Sequence, residues 1–255
     1  MPTLENTFTS GALQTPADPY SQSFTVTSAS LILVSVDIGD GTNRTVTSVK
    51  WNTTESFTLV KNQDDANFES AQIWRLENPT PGTFNVVVDW AASPVQALVT
   101  ISGWIDGKVS TSTPNGAKAA TANPSVTVAD YVSGTDVLYA TYASDLGSVG
   151  TSTESDTLIG EAEDVIGDSD FATQYKTGAG TSIEWTAAVI GDGLGGAGFW
   201  VIAAVSIKPA GGPGTLMLLG VGGMVRLMAA ARLTQDHTRR DWFKTLLACF
   251  LGGKT

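Results

Sequence analysis

One pattern dominates the sequence from residue 23 to residue 210: short segments in which apolar and polar residues alternate, or in which β-branched residues run without interruption. Alternation places every second side chain on one face of a β-strand, and an uninterrupted apolar run is typical of a buried strand. No helical periodicity occurs before residue 211, so we predict an all-β fold, a two-sheet antiparallel sandwich or jelly roll of eight or more strands. The predicted strands in the first part of the chain are 23–27, 29–38, 45–51, 56–61, 70–78, 83–90 and 96–104.

The order of segments in residues 23–104 recurs in residues 125–210. The tetrapeptide DWAA at 89–92 resembles EWTA at 184–187, and a Gly-Thr pair precedes each of them. These similarities have two interpretations: a repeat of four plus four strands, or the general likeness of strands that are bounded by glycine turns. The matching segments are 133–144 with 28–39, 155–164 with 56–61, 170–188 with 69–92, and 195–210 with 93–104.

The chain divides into three parts by composition. Residues 1–20 are polar and contain three prolines, which predicts an extended N-terminal arm or a disordered terminus. Residues 21–210 have the length of a single large β-domain. The Pro- and Gly-rich residues 209–214 form a linker that ends this domain. Residues 211–255 are predicted to be a tail, first apolar and then basic and amphipathic, of short helical segments.

The charge is distributed unevenly between the body and the tail. Residues 211–255 hold six basic and two acidic residues, a net of +4, which leaves −15 for residues 1–210 within the overall net charge of −11. A body this acidic repels nucleic-acid phosphates, so we expect no nucleic-acid binding by residues 1–210. The basic tail suits a membrane surface, an acidic partner or a nucleic acid.

Residues 215–250 are the predicted contact region of the tail. Residues 215–233 are apolar apart from Thr215, Arg226 and Arg232. A central arginine costs roughly 2.5–3.5 kcal/mol on insertion into a bilayer, so this run is a marginal membrane span. Residues 236–250 place their aromatic residues and leucines on one side of a predicted amphipathic helix. Such a helix fits either the surface of an anionic membrane or a protein neighbour, and the arginine favours the protein.

Two stretches resemble known classes of protein. AGGPGTLMLLGVGGMVRLMAAAR, residues 210–232, resembles the PEP-CTERM sorting tails of bacterial surface proteins, although GPG stands in place of Pro-Glu-Pro. The runs TVTSVKWNTTESFTLV, AQIWRLENPTPGTFNVVVDW and FWVIAAVSIKPA resemble β-sandwich modules of phage virion proteins and bacterial surface proteins. The second resemblance covers about residues 23–210 and implies a jelly-roll-like structural or adhesive module, with no catalytic residues.

Catalytic and metal-binding patterns are scarce. The chain has one histidine, His237, and one cysteine, Cys249, and neither lies in a nucleophile–base pattern. Asp37, Asp40 and Asn43 lie together in a Gly-rich turn and are candidate calcium ligands, but three side chains are fewer than the six or more oxygens that calcium takes. The acidic runs 62–69 and 161–170 are interpreted as solvated loops. We therefore predict no enzyme activity, no cofactor and no metal site.

Six tryptophans lie in the predicted strands, namely Trp51, Trp74, Trp90, Trp104, Trp185 and Trp200. Core packing is the simplest interpretation, and an exposed pair of these rings would instead bind a glycan by stacking. A single cysteine permits no intrachain disulfide. The N-terminus has neither the basic nor the apolar region of a signal peptide, which fits a protein made in the cytoplasm, as virion proteins are.

These features favour a non-enzymatic structural protein of a virion. In this hypothesis an outward β-sandwich is anchored through its C-terminal tail to capsid neighbours or to a viral membrane, and the partners are further copies of the chain and other virion proteins. The alternative is an adhesion or carbohydrate-binding module on a bacterial cell surface with a C-terminal membrane anchor.

Overall fold

The computed structural model describes residues 1–39, 45–65, 69–110, 114–119, 124–144, 151–152, 157–163, 169–186, 200–211, 217–221 and 224–228. These residues form antiparallel β-strands, and no helix occurs among them, so the predicted all-β class is confirmed. The first strands are β1 (Thr3–Thr9), β2 (Leu13–Gln14), β3 (Tyr20–Val26), β4 (Leu31–Gly39), β5 (Val46–Trp51), β6 (Glu55–Ser56), β7 (Thr58–Asp64), β8 (Ser70–Glu77), β9 (Gly82–Trp90) and β10 (Gln96–Ile105). The others are β11 (Gly107–Val109), β12 (Asn115–Ala119), β13 (Ser125–Thr127), β14 (Val137–Ser144), β15 (Thr151–Ser152), β16 (Thr157–Glu163), β17 (Asp170–Lys176), β18 (Ser182–Thr186), β19 (Trp200–Pro209), β20 (Met217–Val221) and β21 (Met224–Met228).

Residues 1–105 form two sheets. The first inner sheet has the strand order β1-β10-β4-β8-β7, and β2 also pairs with β10. The first outer sheet has the order β3-β9-β5-β6. A cluster of apolar side chains from both sheets fills the space between them, because alternate residues of each strand point to the same face. The cluster includes Phe24, Ile32, Val34, Val36, Trp51, Trp74, Val88, Trp90 and Ile101.

Residues 107–209 repeat this arrangement. The second inner sheet has the order β11-β19-β14-β17-β16, and β12 also pairs with β19. The second outer sheet has the order β13-β18-β15. The cluster between these sheets includes Val126, Leu138, Ala140, Tyr142, Ile183, Trp185, Trp200 and Ile202.

The inner sheets of the two halves share one topology. The strands β4, β7, β8 and β10 correspond to β14, β16, β17 and β19, and in both halves two further strands pair with the last of these. Even an irregularity recurs. The pairing of β7 with β8 shifts register between Leu59 and Lys61, and the pairing of β16 with β17 shifts between Leu158 and Gly160. These shifts are β-bulges in corresponding edge strands.

The two inner sheets pack face to face and enclose a third apolar cluster. Trp104 is fully buried there and lies edge-on to two tyrosines, with ring centroids 6.3 Å from Tyr139 and 5.2 Å from Tyr175. Because each inner sheet is covered on both sides, β4 and β14 are buried on both faces, which explains their nearly uninterrupted apolar sequences. The cluster includes Leu31, Leu33, Ile73, Leu98, Trp104, Tyr139, Phe171, Val201, Val205 and Ile207.

The edges of the inner sheets meet crosswise, with β1 against β16 and β7 against β12. The Thr9 hydroxyl donates to the Ile159 carbonyl at 3.3 Å, and Lys118 Nζ donates to the Asp64 carbonyl at 3.2 Å. Gly160 lies at the first contact, where a Cβ atom would stand only 2.1 Å from Thr9 Oγ1. In each contact an edge strand of one half meets the opposite edge strand of the other half. The two contacts are therefore equivalent, as they are between the subunits of a dimer with a two-fold axis.

Residues 1–20, which the sequence predicts as an extended arm, are extended and contain β1 and β2, and both strands pair with β10 of the same chain. Glu5 ties this segment to the loop before β4. Its Oε1 accepts hydrogen bonds from the Thr27 amide at 3.1 Å, the Thr27 hydroxyl and the Ser28 amide at 2.7 Å. Its Oε2 accepts from the Ala29 amide at 3.0 Å.

Glu5→Gln is expected to weaken this attachment. Burial raises the pKa of Glu5, but the hydrogen bonds from Thr27, Ser28 and Ala29 outweigh it, and the pKa lies below its ordinary value. A lowered folded-state pKa stabilises the fold above the ordinary glutamate pKa, and this stabilisation is lost as the pH falls through the folded value. We expect the variant to lose about 1 kcal/mol at neutral pH and less in acid. Urea unfolding at neutral and acidic pH measures this, and Glu77→Gln, in an exposed ion pair with Arg75, is the control with little effect.

Residues 211–255 form a second compact unit. In it β20 and β21 pair antiparallel, from Met217 with Met228 to Val221 with Met224. The helix predicted over residues 236–250 lies outside the described residues, so the helical tail stays a prediction. Within the described part of the chain, no helix is both long and apolar enough to cross a bilayer.

Candidate functional site between the inner sheets

Hydroxyl and carboxyl groups cross the otherwise apolar contact between the two inner sheets. Alternation along β4 places Ser35 and Asp37 on the same face as Leu33, which belongs to the central cluster. Seven of the polar groups at this contact are fully buried. We call them the polar strip; they are Ser35 and Asp37 of β4, Thr100 and Ser102 of β10, Tyr139 and Thr141 of β14, and Thr173 of β17.

Hydrogen bonds join the polar strip across the two halves. The Ser35 hydroxyl and the Tyr139 hydroxyl are 2.7 Å apart, and the Thr141 hydroxyl donates to Asp37 Oδ2. Thr141 also contacts the Thr173 hydroxyl at 2.9 Å within the second inner sheet. These two hydrogen bonds, between Ser35 and Tyr139 and between Thr141 and Asp37, join β4 to β14, the strands at the centre of their sheets.

The polar strip is not fully satisfied. Asp37 Oδ1 and Thr100 Oγ1 are buried and have no hydrogen-bond partner among the described residues. A buried polar atom without a partner costs about 1–3 kcal/mol, and the cost is larger for a charged group. Asp37 is therefore held in an environment that strongly disfavours its ionised form.

The pKa values of the strip follow from this burial. Burial raises the pKa of Asp37 well above its ordinary value, and the hydrogen bond from Thr141 opposes the rise only in part. Burial also raises the pKa of Tyr139, against the hydrogen bonds to Ser35 and Ser102, and the nearby Asp37 carboxyl raises it further. Asp37 thus stays protonated over a range of pH in which an exposed aspartate is charged.

The arrangement can hold one proton between two packed sheets. It contains no histidine or cysteine, and apart from Thr100 its hydroxyls bond to one another, to Asp37 or to Trp104 rather than to a positioned base. Its groups are closed to solvent, so no substrate reaches them while the sheets remain packed. The chemistry that this site supports is protonation and deprotonation of one carboxyl.

The sequence placed Asp37 in a candidate calcium turn with Asp40 and Asn43, but the structure places it in β4 with its carboxyl bonded to Thr141. Asp40 and Asn43 lie outside the described residues, as do His237, Cys249 and much of 161–170. In the part of the chain that the structure describes, no group of three or more His, Cys, Asp or Glu side chains could hold a metal ion.

The tryptophans of the strands do not offer a stacking surface for sugars. All six are buried, and even the most accessible of them, Trp74, is only 7% exposed. Trp51 and Trp104 lie in separate apolar clusters, and Trp185 stacks on Tyr142 with ring centroids 5.2 Å apart. These rings stabilise the layers rather than bind a ligand.

A second buried polar group joins the turn before β14 to β19. Asp136 is 2% exposed, and its Oδ2 accepts from Lys208 Nζ at 2.6 Å, from the Val132 amide at 2.8 Å and from the Ser206 hydroxyl at 3.3 Å. Lys208 also donates to the Asp130 carbonyl. This ion pair is structural, because each of its partners belongs to the same sheet or its adjoining turn.

Sequence reasoning did not find the polar strip, although a signal for it exists. Ser35 and Asp37 interrupt the apolar strand LILVSVDIG at alternate positions, which places both on one face. A carboxyl at such a position is buried if the strand is covered on both sides. The missing information was the second inner sheet that covers it.

Comparison with known proteins identifies no relative. No protein-family model, no curated protein and no solved structure matches the chain. Function is therefore inferred from the residues and geometry of the chain itself.

Proposed function

We propose that this chain is a non-enzymatic structural protein of a virion. Residues 1–210 form the outward body, in which each half is one β-sandwich, and residues 211–255 attach it to capsid neighbours or to a viral membrane. The observation that carries the proposal is the construction of the body: four layers of sheet with three apolar clusters between them. Such a stack suits a rigid building block, and its most unusual acid is sealed from any substrate.

The exposed faces of the outer sheets fit this role. Thr25 and Thr83 form a hydroxyl pair at 2.9 Å on the first outer sheet, and Thr127 and Ser182 form one at 2.7 Å on the second. Both pairs are exposed and lie on neighbouring strands at the corresponding place in each half. Short hydroxyl side chains keep a surface soluble without long charged groups, which would hinder the close packing of neighbouring copies.

Charge supports attachment through the tail. Residues 211–255 form a unit of their own with a net charge of +4, and residues 1–210 carry −15. The tail of one copy is therefore attracted to the acidic body of another copy, and this attraction weakens as salt screens it. Further copies of the chain are the partners that this charge pattern favours.

A bacterial cell-surface adhesion module is the second candidate. The observation that favours it is the resemblance of residues 210–232 to PEP-CTERM sorting tails. It would place the same body on a cell surface, with the tail as its membrane anchor. Glycan recognition within that candidate would need groups other than the six buried tryptophans.

Sedimentation of the full-length chain and of a 1–210 truncation, each with and without anionic liposomes, tests the proposal. We expect the full-length chain to form large discrete assemblies without lipid, which dissociate in high salt, and the truncation to stay a folded monomer. The truncation is expected to keep its fold because residues 1–210 are one compact unit.

Assembly by the truncation would contradict attachment through the tail. Flotation of the full-length chain with liposomes, without assembly in their absence, would favour the surface module or a membrane-containing virion. A full-length chain that neither assembles nor floats would overturn both candidates.

A further inference from the structure

We propose that Asp37 is a proton-controlled switch between the two inner sheets: the sheets stay packed while its carboxyl is protonated, and its ionisation loosens their contact. The inference goes beyond the proposed function and does not depend on it.

The first step is the position of the carboxyl. Asp37 is fully buried at the contact of the inner sheets, and the one hydrogen bond that its side chain makes crosses to Thr141 of the other half. Its Oδ1 has no partner among the described residues. An ionised carboxylate there would carry a full negative charge with a single donor, whereas stable buried carboxylates usually accept two or three hydrogen bonds or face a cation.

The second step is the surroundings of the carboxyl on every element packed against β4. On β14 the titratable residue that faces Asp37 is Tyr139. On β17 the titratable residue on the face between the inner sheets is Tyr175. On β8 that residue is Arg75, whose guanidinium bonds to Glu77 and to the Val109 carbonyl. Asp37 pairs with Ala71, four residues from Arg75, which is about 13 Å along the strand.

Among the residues that the structure describes, the remaining neighbours supply no positive charge either. Strand β10 has no titratable residue, and Lys108 of β11 is exposed. Lys176 of β17 donates to the Ser182 carbonyl, on the opposite face of the second inner sheet. Glu69, a buried acid, immediately precedes β8. Ionisation of Asp37 therefore gains no compensating cation from the strands that surround it.

The third step is to identify which contact around Asp37 opens most easily. The backbone of β4 is paired on both sides, with β10 and with β8, so the strand is held firmly within its own sheet. The contact with the second half depends on side chains. The chain passes from one half to the other through a single residue, Asp106, which has a φ of 55° and lies at the opposite end of β10 from Leu98, the residue that pairs with Asp37. Water reaches the ionised carboxylate most readily between the inner sheets, because only side-chain contacts have to separate there.

The sign of the pH dependence follows from the geometry. The raised pKa of Asp37 means that its contribution to stability is fully present below the ordinary aspartate pKa and is lost as the pH rises through the folded value. Packing of the inner sheets is therefore tightest in acid and loosens toward alkaline pH.

The test measures access to the contact with two cysteines on one strand. Ala143 and Ala140 are both fully buried on β14, but Ala143 faces the contact of the inner sheets and Ala140 faces the second outer sheet. Ala143→Cys and Ala140→Cys are each introduced into the full chain carrying Cys249→Ser. Thiol labelling rates are followed from about pH 5 to about pH 9 and are divided by the rate of a free cysteine peptide at the same pH.

We expect the normalised labelling of Ala143→Cys to rise at least about tenfold across this range and that of Ala140→Cys to stay flat. Asp37→Asn, which keeps an acceptor for Thr141 but cannot ionise, should abolish the rise. A rise that persists in Asp37→Asn, equal rises at both cysteines, or no rise at Ala143→Cys would overturn the proposal.

Thr141→Val gives a second, independent check. The Thr141 hydroxyl stabilises the ionised carboxylate, so its removal should raise the pKa of Asp37 and move the midpoint of the labelling transition to higher pH. A midpoint that does not move, or that moves to lower pH, would contradict the assignment of the switch to Asp37.

Discussion

Trp104→Ala is expected to lower the free energy of unfolding by about 3–5 kcal/mol, because the indole is fully buried and its removal leaves a large cavity. The ring contacts Tyr139 and Tyr175 edge-on, and its Nε1 donates to the Ser102 hydroxyl at 2.9 Å. The variant therefore loses apolar burial, two aromatic contacts and a buried hydrogen bond together. Urea unfolding of the full chain, followed by circular dichroism, measures the loss.

The neighbouring Ile105→Ala is the matched control. Ile105 is 37% exposed at the end of the same strand, so we expect its truncation to cost less than about 1 kcal/mol. A loss of stability in Trp104→Ala no larger than that in Ile105→Ala would contradict the packing of the two inner sheets around the indole.

Asp136→Ala is expected to cost about 2–4 kcal/mol, because it removes a buried carboxyl and leaves Lys208 with only its longer ion pair to Asp130, at 3.8 Å. The carboxyl accepts four hydrogen bonds, from the Val132 amide, the Thr135 and Ser206 hydroxyls and Lys208 Nζ. These bonds hold the turn before β14 against β19. The midpoint of urea unfolding at neutral pH reports the effect.

Two further variants separate the ion pair from general damage. Lys50→Ala breaks an exposed pair with Asp89, at 3.6 Å, and should cost no more than about 1 kcal/mol. The double variant Asp136→Ala with Lys208→Met removes a charge that would keep only its contact with Asp130, and it should recover part of the stability lost in the single variant. A double variant less stable than Asp136→Ala would show that the charge of Lys208 is not the source of the loss.

The strands could be predicted from the sequence because their apolar patterns are local. The predicted segments 70–78, 83–90 and 96–104 agree with β8, β9 and β10 to within a residue at each end. The segment 170–188, which the sequence matches with the two predicted strands of 69–92, contains two strands, β17 and β18, and Gly180 with a φ of 85° lies between them. The apolar pattern indicates which residues are extended, and the glycine indicates where the chain turns.

The stacking of the halves could not be predicted in the same way. An uninterrupted apolar strand such as 31–39 shows that both faces are covered, but it does not identify the covering element. The cover of β4 on one side is the second inner sheet, more than a hundred residues later in the sequence. For the same reason the sequence did not show that Asp37 belongs to a buried strip rather than to a turn.

The one-residue link at Asp106 has a consequence for synthesis. Every strand of the first inner and outer sheets lies within residues 1–105, so this half can complete its hydrogen bonding as soon as it leaves the ribosome. Its inner face, with Leu31, Leu33, Ile73 and Leu98, then faces water until the second half has been made. At 5–20 residues per second, another hundred residues take roughly 5–20 s. During that interval the apolar inner face of one nascent chain can pack against the same face of another chain. We therefore expect mispairing between copies to begin among neighbouring ribosomes on one messenger RNA.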